Sequence, residues 1–100
     1  MNVQITSRKF RAKESLKSSI QEQLKSLEKF NDDIMDANVI LSYTHVKGSI
    51  KTVEITLTVP GKTFTAEETS DDFNKALSKT ITKLEKQLRT LKSKRISKSR

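Results

Sequence analysis

The sequence predicts an α+β domain in which one four-stranded mixed sheet carries two helices on one face, in the order β-α-β-β-β-α. Three patterns predict it. Val53, Ile55, Leu57 and Val59 alternate with Thr52, Glu54, Thr56 and Thr58, the period of a strand with one buried face. Ala12, Leu16, Ile20, Leu24 and Leu27 recur at helical spacing, and so do Phe73, Leu77, Ile81, Leu84, Leu88 and Leu91. Each helix therefore has one apolar stripe, and a single sheet face is the simplest surface on which to bury both.

The elements follow in order. Asn2 to Thr6 alternates, with Val3 and Ile5 on one side, and reads as a short first strand. Ser7, Arg8, Lys9 and Phe10 form a basic connection to a helix from about Ala12 to Lys29. Asn31, Asp32 and Asp33 end that helix. Val39, Leu41 and Tyr43 then alternate with Ile40, Ser42 and Thr44 as a second strand, and a turn at Lys47, Gly48 and Ser49 leads into the third, the Val53 to Val59 run. Pro60 and Gly61 make the next turn, because Pro fixes φ and Gly accepts positive φ. Phe64 and Ala66 supply the inner side of a last strand, with Thr63, Thr65 and Glu67 outside. Ser70 is placed to cap the second helix, and Asp71 and Asp72 complement its N-terminal dipole. A crossover through a helix joins parallel neighbours, whereas the two tight turns make an antiparallel meander.

One hundred residues, a third of them hydrophobic, suit one domain. We assign it to residues 1–95 and expect 96–100 to be a flexible basic tail, since no apolar period continues there. No apolar run approaches the ~18 residues of a membrane span, and the alternating N-terminus lacks the apolar block of a secretory signal. The absence of cysteine excludes disulfides, thiolate catalysis and Cys-based zinc sites.

Catalytic patterns are equally absent. His45, the single histidine, sits at a strand end, with no second His or Cys to complete a metal site. Asp32, Asp33 and Asp36 cluster, but without the Gly and terminal Glu of a calcium loop. Two glycines cannot build a glycine-rich phosphate cradle. The sequence reads as a non-enzyme with no cofactor.

Charge is what sets this chain apart. Residues 1–30 carry +4, residues 31–72 carry −5 and residues 73–100 carry +9, for a net +8. That last segment holds ten of the twenty Lys and Arg residues against one acid, Glu85. At about 100° per residue, Lys75, Lys79, Lys83, Lys86 and Arg89 fall opposite the apolar stripe. The ordinary reading of such a row is a solvated face. Here, however, the run offers only Glu85 as a local partner, and like charges at i and i+4 cost about 0.2–0.5 kcal/mol per pair. A helix with one buried side and one cationic side suits a polyanion, and RNA is the leading candidate. Phe30, Phe64, Phe73 and Tyr43 follow the apolar pattern, so base stacking on the sheet is not expected and contacts should go mainly to phosphates.

Phe64-Thr65-Ala66-Glu67-Glu68, Asp71-Asp72, Lys75-Ala76-Leu77 and Lys83-Leu84-Glu85-Lys86-Gln87-Leu88 resemble the ribosome hibernation promoting factors, a family that includes the ribosome-associated inhibitors of translation. The resemblance runs from Asn2 to about Lys94. Asn74 stands where members often have Tyr, and Ser78 and Thr82 where members often have acids; the latter two departures make the helix more cationic. At this length the chain resembles the short form, without a C-terminal dimerisation domain. The resemblance implies a cytoplasmic bacterial protein of the stress response, monomeric off the ribosome. It further implies binding to the 30S subunit of the ribosome, alone or in 70S particles, where mRNA and tRNA meet at the decoding centre. Carried over by position, 16S rRNA phosphate contacts fall on Lys75, Lys79, Lys83, Lys86 and Arg89, with Arg8 and Lys9 as a second point and Lys92, Lys94 and Arg95 contributing less specifically. Two alternatives are a stand-alone double-stranded-RNA-binding module, which shares the α-β-β-β-α order, and an acidic-protein interaction module with no RNA role.

Overall fold

Alternation drives the sheet and 3.6-residue periodicity drives the helices of the computed structural model, which describes residues 1–44 and 50–98, with backbone alone for Thr44 and 91–98. The strands are β1 (Asn2–Ser7), β2 (Asp36–Thr44), β3 (Ile50–Val59) and β4 (Lys62–Ser70). Helix α1 spans Glu14–Ser26 and closes with a 3-10 turn at Leu27–Lys29, while α2 spans Phe73–Lys98. The element order is the expected one. His45 and the turn at Lys47, Gly48 and Ser49 lie outside the described residues, as do the side chains of 91–100, including Leu91, Lys92, Lys94, Arg95 and the expected tail.

The sheet order is β1-β2-β3-β4. β1 runs parallel to β2, with Ile5 opposite Val39, and the other two pairings are antiparallel. Val59 pairs with Lys62 across Pro60-Gly61, and Gly61 takes φ +80, where a side chain would be strained. Val39, Leu41, Val53, Ile55, Leu57, Phe64 and Ala66 point to one face and are buried there. The other face is Thr-rich, with Thr56 and Thr65 hydroxyls 3.4 Å apart and Glu54 directly opposite Glu67.

Both helices cover the inner face and join one core with the strands. Ile20, Leu24 and Leu27 bury the α1 side, while Leu77, Leu84 and Leu88 bury α2 over β3 and β4. Thr80 lies among them and is fully buried. Its hydroxyl donates to the Ala76 carbonyl at 2.8 Å and also lies 3.3 Å from the Val53 carbonyl, so the buried donor is satisfied. The loop after α1 is held by Asn31, whose Oδ1 accepts the Asp33 N–H at 2.8 Å, the local turn that Asn side chains favour.

The α2 cap differs from the expectation. β4 remains paired through Ser70, opposite Lys51, so Ser70 is still strand. Asp72 is the cap: its Oδ1 accepts the Asn74 N–H at 3.1 Å and its carbonyl accepts the Ala76 N–H at 3.0 Å. The Ser70 hydroxyl donates instead to Asp71 Oδ1 at 3.1 Å. That bond, with the Lys75 ammonium nearby, holds the Asp71 carboxyl below its ordinary value. Any stability this contributes is present at neutral pH and lost as pH falls through the carboxylate range.

Candidate nucleic-acid interface

Burial of Leu77, Leu84 and Leu88 fixes the rotation of α2, and that rotation decides which side chains meet solvent. Lys75, Lys79, Lys83, Lys86 and Arg89 are all exposed, as their spacing requires. Lys75, Lys79 and Lys83 stand about 6 Å apart along the axis, and the row from Lys75 to Arg89 covers roughly 21 Å of helix. It forms a pre-positioned band of cations along one side of the helix.

The row is less free of acids than the sequence suggests. Lys75 Nζ lies 3.6 Å from Asp71 Oδ1. Lys83 Nζ pairs with Glu68 Oε2 of β4. Arg89 Nη2 lies 2.9 Å from Glu85 Oε1, and its guanidinium sits 5.1 Å from the centre of the Phe30 ring. Among the described residues, only Lys79 and Lys86 of the five pair with no acid. Asp71 precedes the helix and Glu68 lies on β4, so a count of charges within the helical run misses both. An exposed pair such as Lys75–Asp71 contributes little, about 0–1 kcal/mol. Arg89 is the exception, because ring and carboxylate together hold it against Phe30, the residue that follows the Leu27–Lys29 turn. It is the most structural of the five.

Arg8 and Lys9 extend from the end of β1. The Arg8 N–H donates to the Leu41 carbonyl at 2.9 Å, and both side chains are exposed. Lys9 takes φ 64, a left-handed conformation that costs a non-glycine residue roughly 1–2 kcal/mol. The turn is anchored by Phe10, whose ring stacks on Phe73 at 5.2 Å and meets Tyr43 edge-on at 5.2 Å. Phe10 thus ties the basic link to the first residue of α2 and places Arg8 and Lys9 at the same end of the molecule as Lys75. Phe10 belongs to neither the strand nor the helix period, so its role is not legible from spacing. Its position two residues before Ala12, among four cations, was the available signal.

Among the described residues no group of His, Cys, Asp or Glu is arranged to hold a metal, and no helix is long and apolar enough to cross a membrane.

Fold and surface together define an α+β domain organised around one polycationic helix. The chain belongs to the Sigma 54 modulation protein / S30EA ribosomal protein family, whose model matches residues 3–96. It is 34% identical over 92 residues to the ribosome hibernation promotion factor of Deinococcus radiodurans, covering 90% of this chain and 48% of that protein. The chain therefore spans about half the length of that relative. Its fold is similar to a ribosomal subunit interface protein from Coxiella burnetii, with a TM-score of 0.85 and 26% identity over 93% of this chain and 99% of that one. It is also similar to the N-terminal domain of Protein Y from Thermus thermophilus, with a TM-score of 0.81 and 23% identity over 91% and 99% of the two chains.

Proposed function

We propose that this protein is a ribosome hibernation factor. The basic face of α2 lies along 16S rRNA of the small subunit, in the channel where mRNA and tRNA meet at the decoding centre. Occupancy excludes both and leaves the ribosome idle and preserved; no bond is broken. One observation carries this reading: a line of exposed cations held rigid by a fully buried stripe, in a member of a ribosomal-protein family whose relatives carry hibernation and subunit-interface names. Lys75, Lys79, Lys83 and Lys86 are the principal contacts, Arg89 supports the row, and Arg8 and Lys9 add a second point. Lys92, Lys94 and Arg95 extend the same helix towards its end.

Contacts to phosphate make two measurable demands. Binding weakens steeply with salt, because each neutralised phosphate releases condensed counterions. Binding also depends on the arrangement of phosphates on a folded particle, which plain duplex does not reproduce. Co-sedimentation with purified 30S and 70S particles across a salt series is expected to saturate near one protein per particle and to resist competition by free duplex RNA. Loss of binding to duplex competitor would instead mark a general double-stranded-RNA module. Binding that survives nuclease treatment of the particles would mark a protein-only contact.

Lys9 allows the roles of charge and structure to be separated. Glycine adopts φ 64 without strain, so Lys9→Gly is expected to leave stability unchanged or raise it by about 1 kcal/mol. The same change removes a cation and is expected to weaken ribosome binding. A variant that melts higher yet binds with undiminished affinity would remove Lys9 from the interface.

A further inference from the structure

We propose that the cleft between the start of α1 and the start of α2 takes one unpaired nucleotide of the bound RNA. The proposal rests on the reading that the basic face of α2 binds RNA. The cleft has a volume of about 400 Å³, within the range of small-molecule sites. Phe10, Leu16 and Phe73 form its apolar wall, each only half-buried. Arg11 and Lys13 stand exposed on its rim. Asp72 and Asn74 add polar groups from the other side, and Lys51 of β3 also lines the cleft, its Nζ donating to the Asp71 carbonyl at 3.2 Å.

This combination matches a nucleotide better than it matches simpler ligands. A free phosphate has no use for an aromatic wall, and an apolar peptide has no use for two cations on the rim. A nucleotide has both needs: a base with apolar faces and a polar edge, joined to an anion. The Phe10 and Phe73 rings lie nearly parallel, 15° apart, and Tyr43 braces Phe10 edge-on, so the wall is pre-formed. The Asp72 carboxylate would repel a phosphate. It therefore sets the orientation, with the base edge towards Asp72 and Asn74 and the phosphate towards Arg11 and Lys13. One Asp72 oxygen already accepts the Asn74 N–H at 3.1 Å; an ionised carboxylate still has acceptor capacity and no donor. Bases with an amino group facing it are favoured over uracil. Asn74 immediately precedes Lys75, so an RNA strand following the cation row reaches the cleft without a gap.

The site would give a phosphate-reading protein a point of base contact, fixing its register on the RNA. Amide chemical shifts of the full chain, titrated with AMP, CMP, GMP, UMP and inorganic phosphate, test it. The three amino-bearing nucleotides are expected to shift the amides of Phe10, Leu16, Phe73 and Asn74 saturably, UMP several-fold more weakly, and inorganic phosphate not at all. Ser15→Trp, at an exposed position lining the cleft, is expected to abolish those shifts with an unchanged melting curve and to weaken ribosome binding about tenfold. Shifts confined to residues 75–89, or reproduced by inorganic phosphate, would overturn the pocket. So would Ser15→Trp protein that binds nucleotides and ribosomes like the parent. Failure of the parent protein to sediment with ribosomes is a separate result: it removes the ribosomal reading, whereas saturable nucleotide shifts in the cleft would still support the pocket.

Discussion

Replacing Lys79, Lys83 and Lys86 together by Glu is expected to release the protein from ribosomes while leaving it folded. Each reversal removes two units of charge, so the chain falls from +8 to +2 with no buried atom changed. Charge-assisted hydrogen bonds are worth about 1.5–3 kcal/mol each, so loss of three weakens binding by roughly a thousandfold or more. The salt dependence should flatten as well, by about one unit of slope for each phosphate contact removed. Stability should change little. Lys79 and Lys86 pair with no acid among the described residues, and only Lys83 gives up an ion pair, to Glu68. That substitution sets two carboxylates side by side at a partly exposed site, which adds a modest local cost. Lys79→Gln with Lys86→Gln is therefore the cleaner pair, expected to give a smaller loss of affinity at full stability. The measurement is co-sedimentation across salt beside a thermal melt of the same preparations. A folded triple variant that sediments with ribosomes as the parent does would take the α2 face out of the interface.

The strands and helices were readable because Val53 to Val59 and Phe73 to Leu88 bury one side each, and burial imposes a period on sequence. Exposure of the cation row followed from the same geometry. What the sequence concealed lies where two distant segments meet. Glu68 reaches Lys83 from β4, and Phe30 reaches Arg89 from the end of α1; neither pairing has a local spacing. Phe10 shares a cluster with Tyr43 and Phe73, more than thirty and sixty residues away, so its role needs the tertiary fold. The cap moved from Ser70 to Asp72 because strand pairing with β3 competed for Ser70 and won. Thr80 was in principle readable: it stands three residues after Leu77 and four before Leu84, on the apolar stripe, but its polarity hid it. The cleft between α1 and α2 was the least accessible, since three separate segments build it, Phe10 to Leu16, Lys51 and Asp72 to Asn74.

Leu84→Asp is expected to abolish cooperative folding, and it tests whether the buried stripe aims the cations. Leu84 is fully buried near the middle of the helix, with Ile81 and Leu88 on either side of it in the stripe. Truncation to Ala at such a site costs about 2–5 kcal/mol. The introduced carboxylate adds a desolvation cost that nothing nearby offsets. The only buried polar side chain among the described residues is Thr80, whose single hydroxyl proton is already directed at backbone carbonyls. The combined cost reaches the whole stability of a domain, about 5–15 kcal/mol. Far-ultraviolet circular dichroism should lose its sharp thermal transition, and ribosome binding should vanish with it. Leu84→Ala should melt lower but cooperatively and, at low temperature, bind like the parent, because the cation row is untouched. The sign of the pH effect separates buried charge from lost packing. Burial raises the pKa of the introduced carboxyl above its unfolded value of about 3.9, so the penalty is full above that raised value and shrinks as pH falls towards the unfolded one. Leu84→Asp should therefore regain helicity relative to Leu84→Asn as the solution is acidified towards pH ~4. Equal behaviour of the two variants, or a cooperative melt for Leu84→Asp at neutral pH, would mean that Leu84 does not face the core and that the rotation of α2 must be assigned anew.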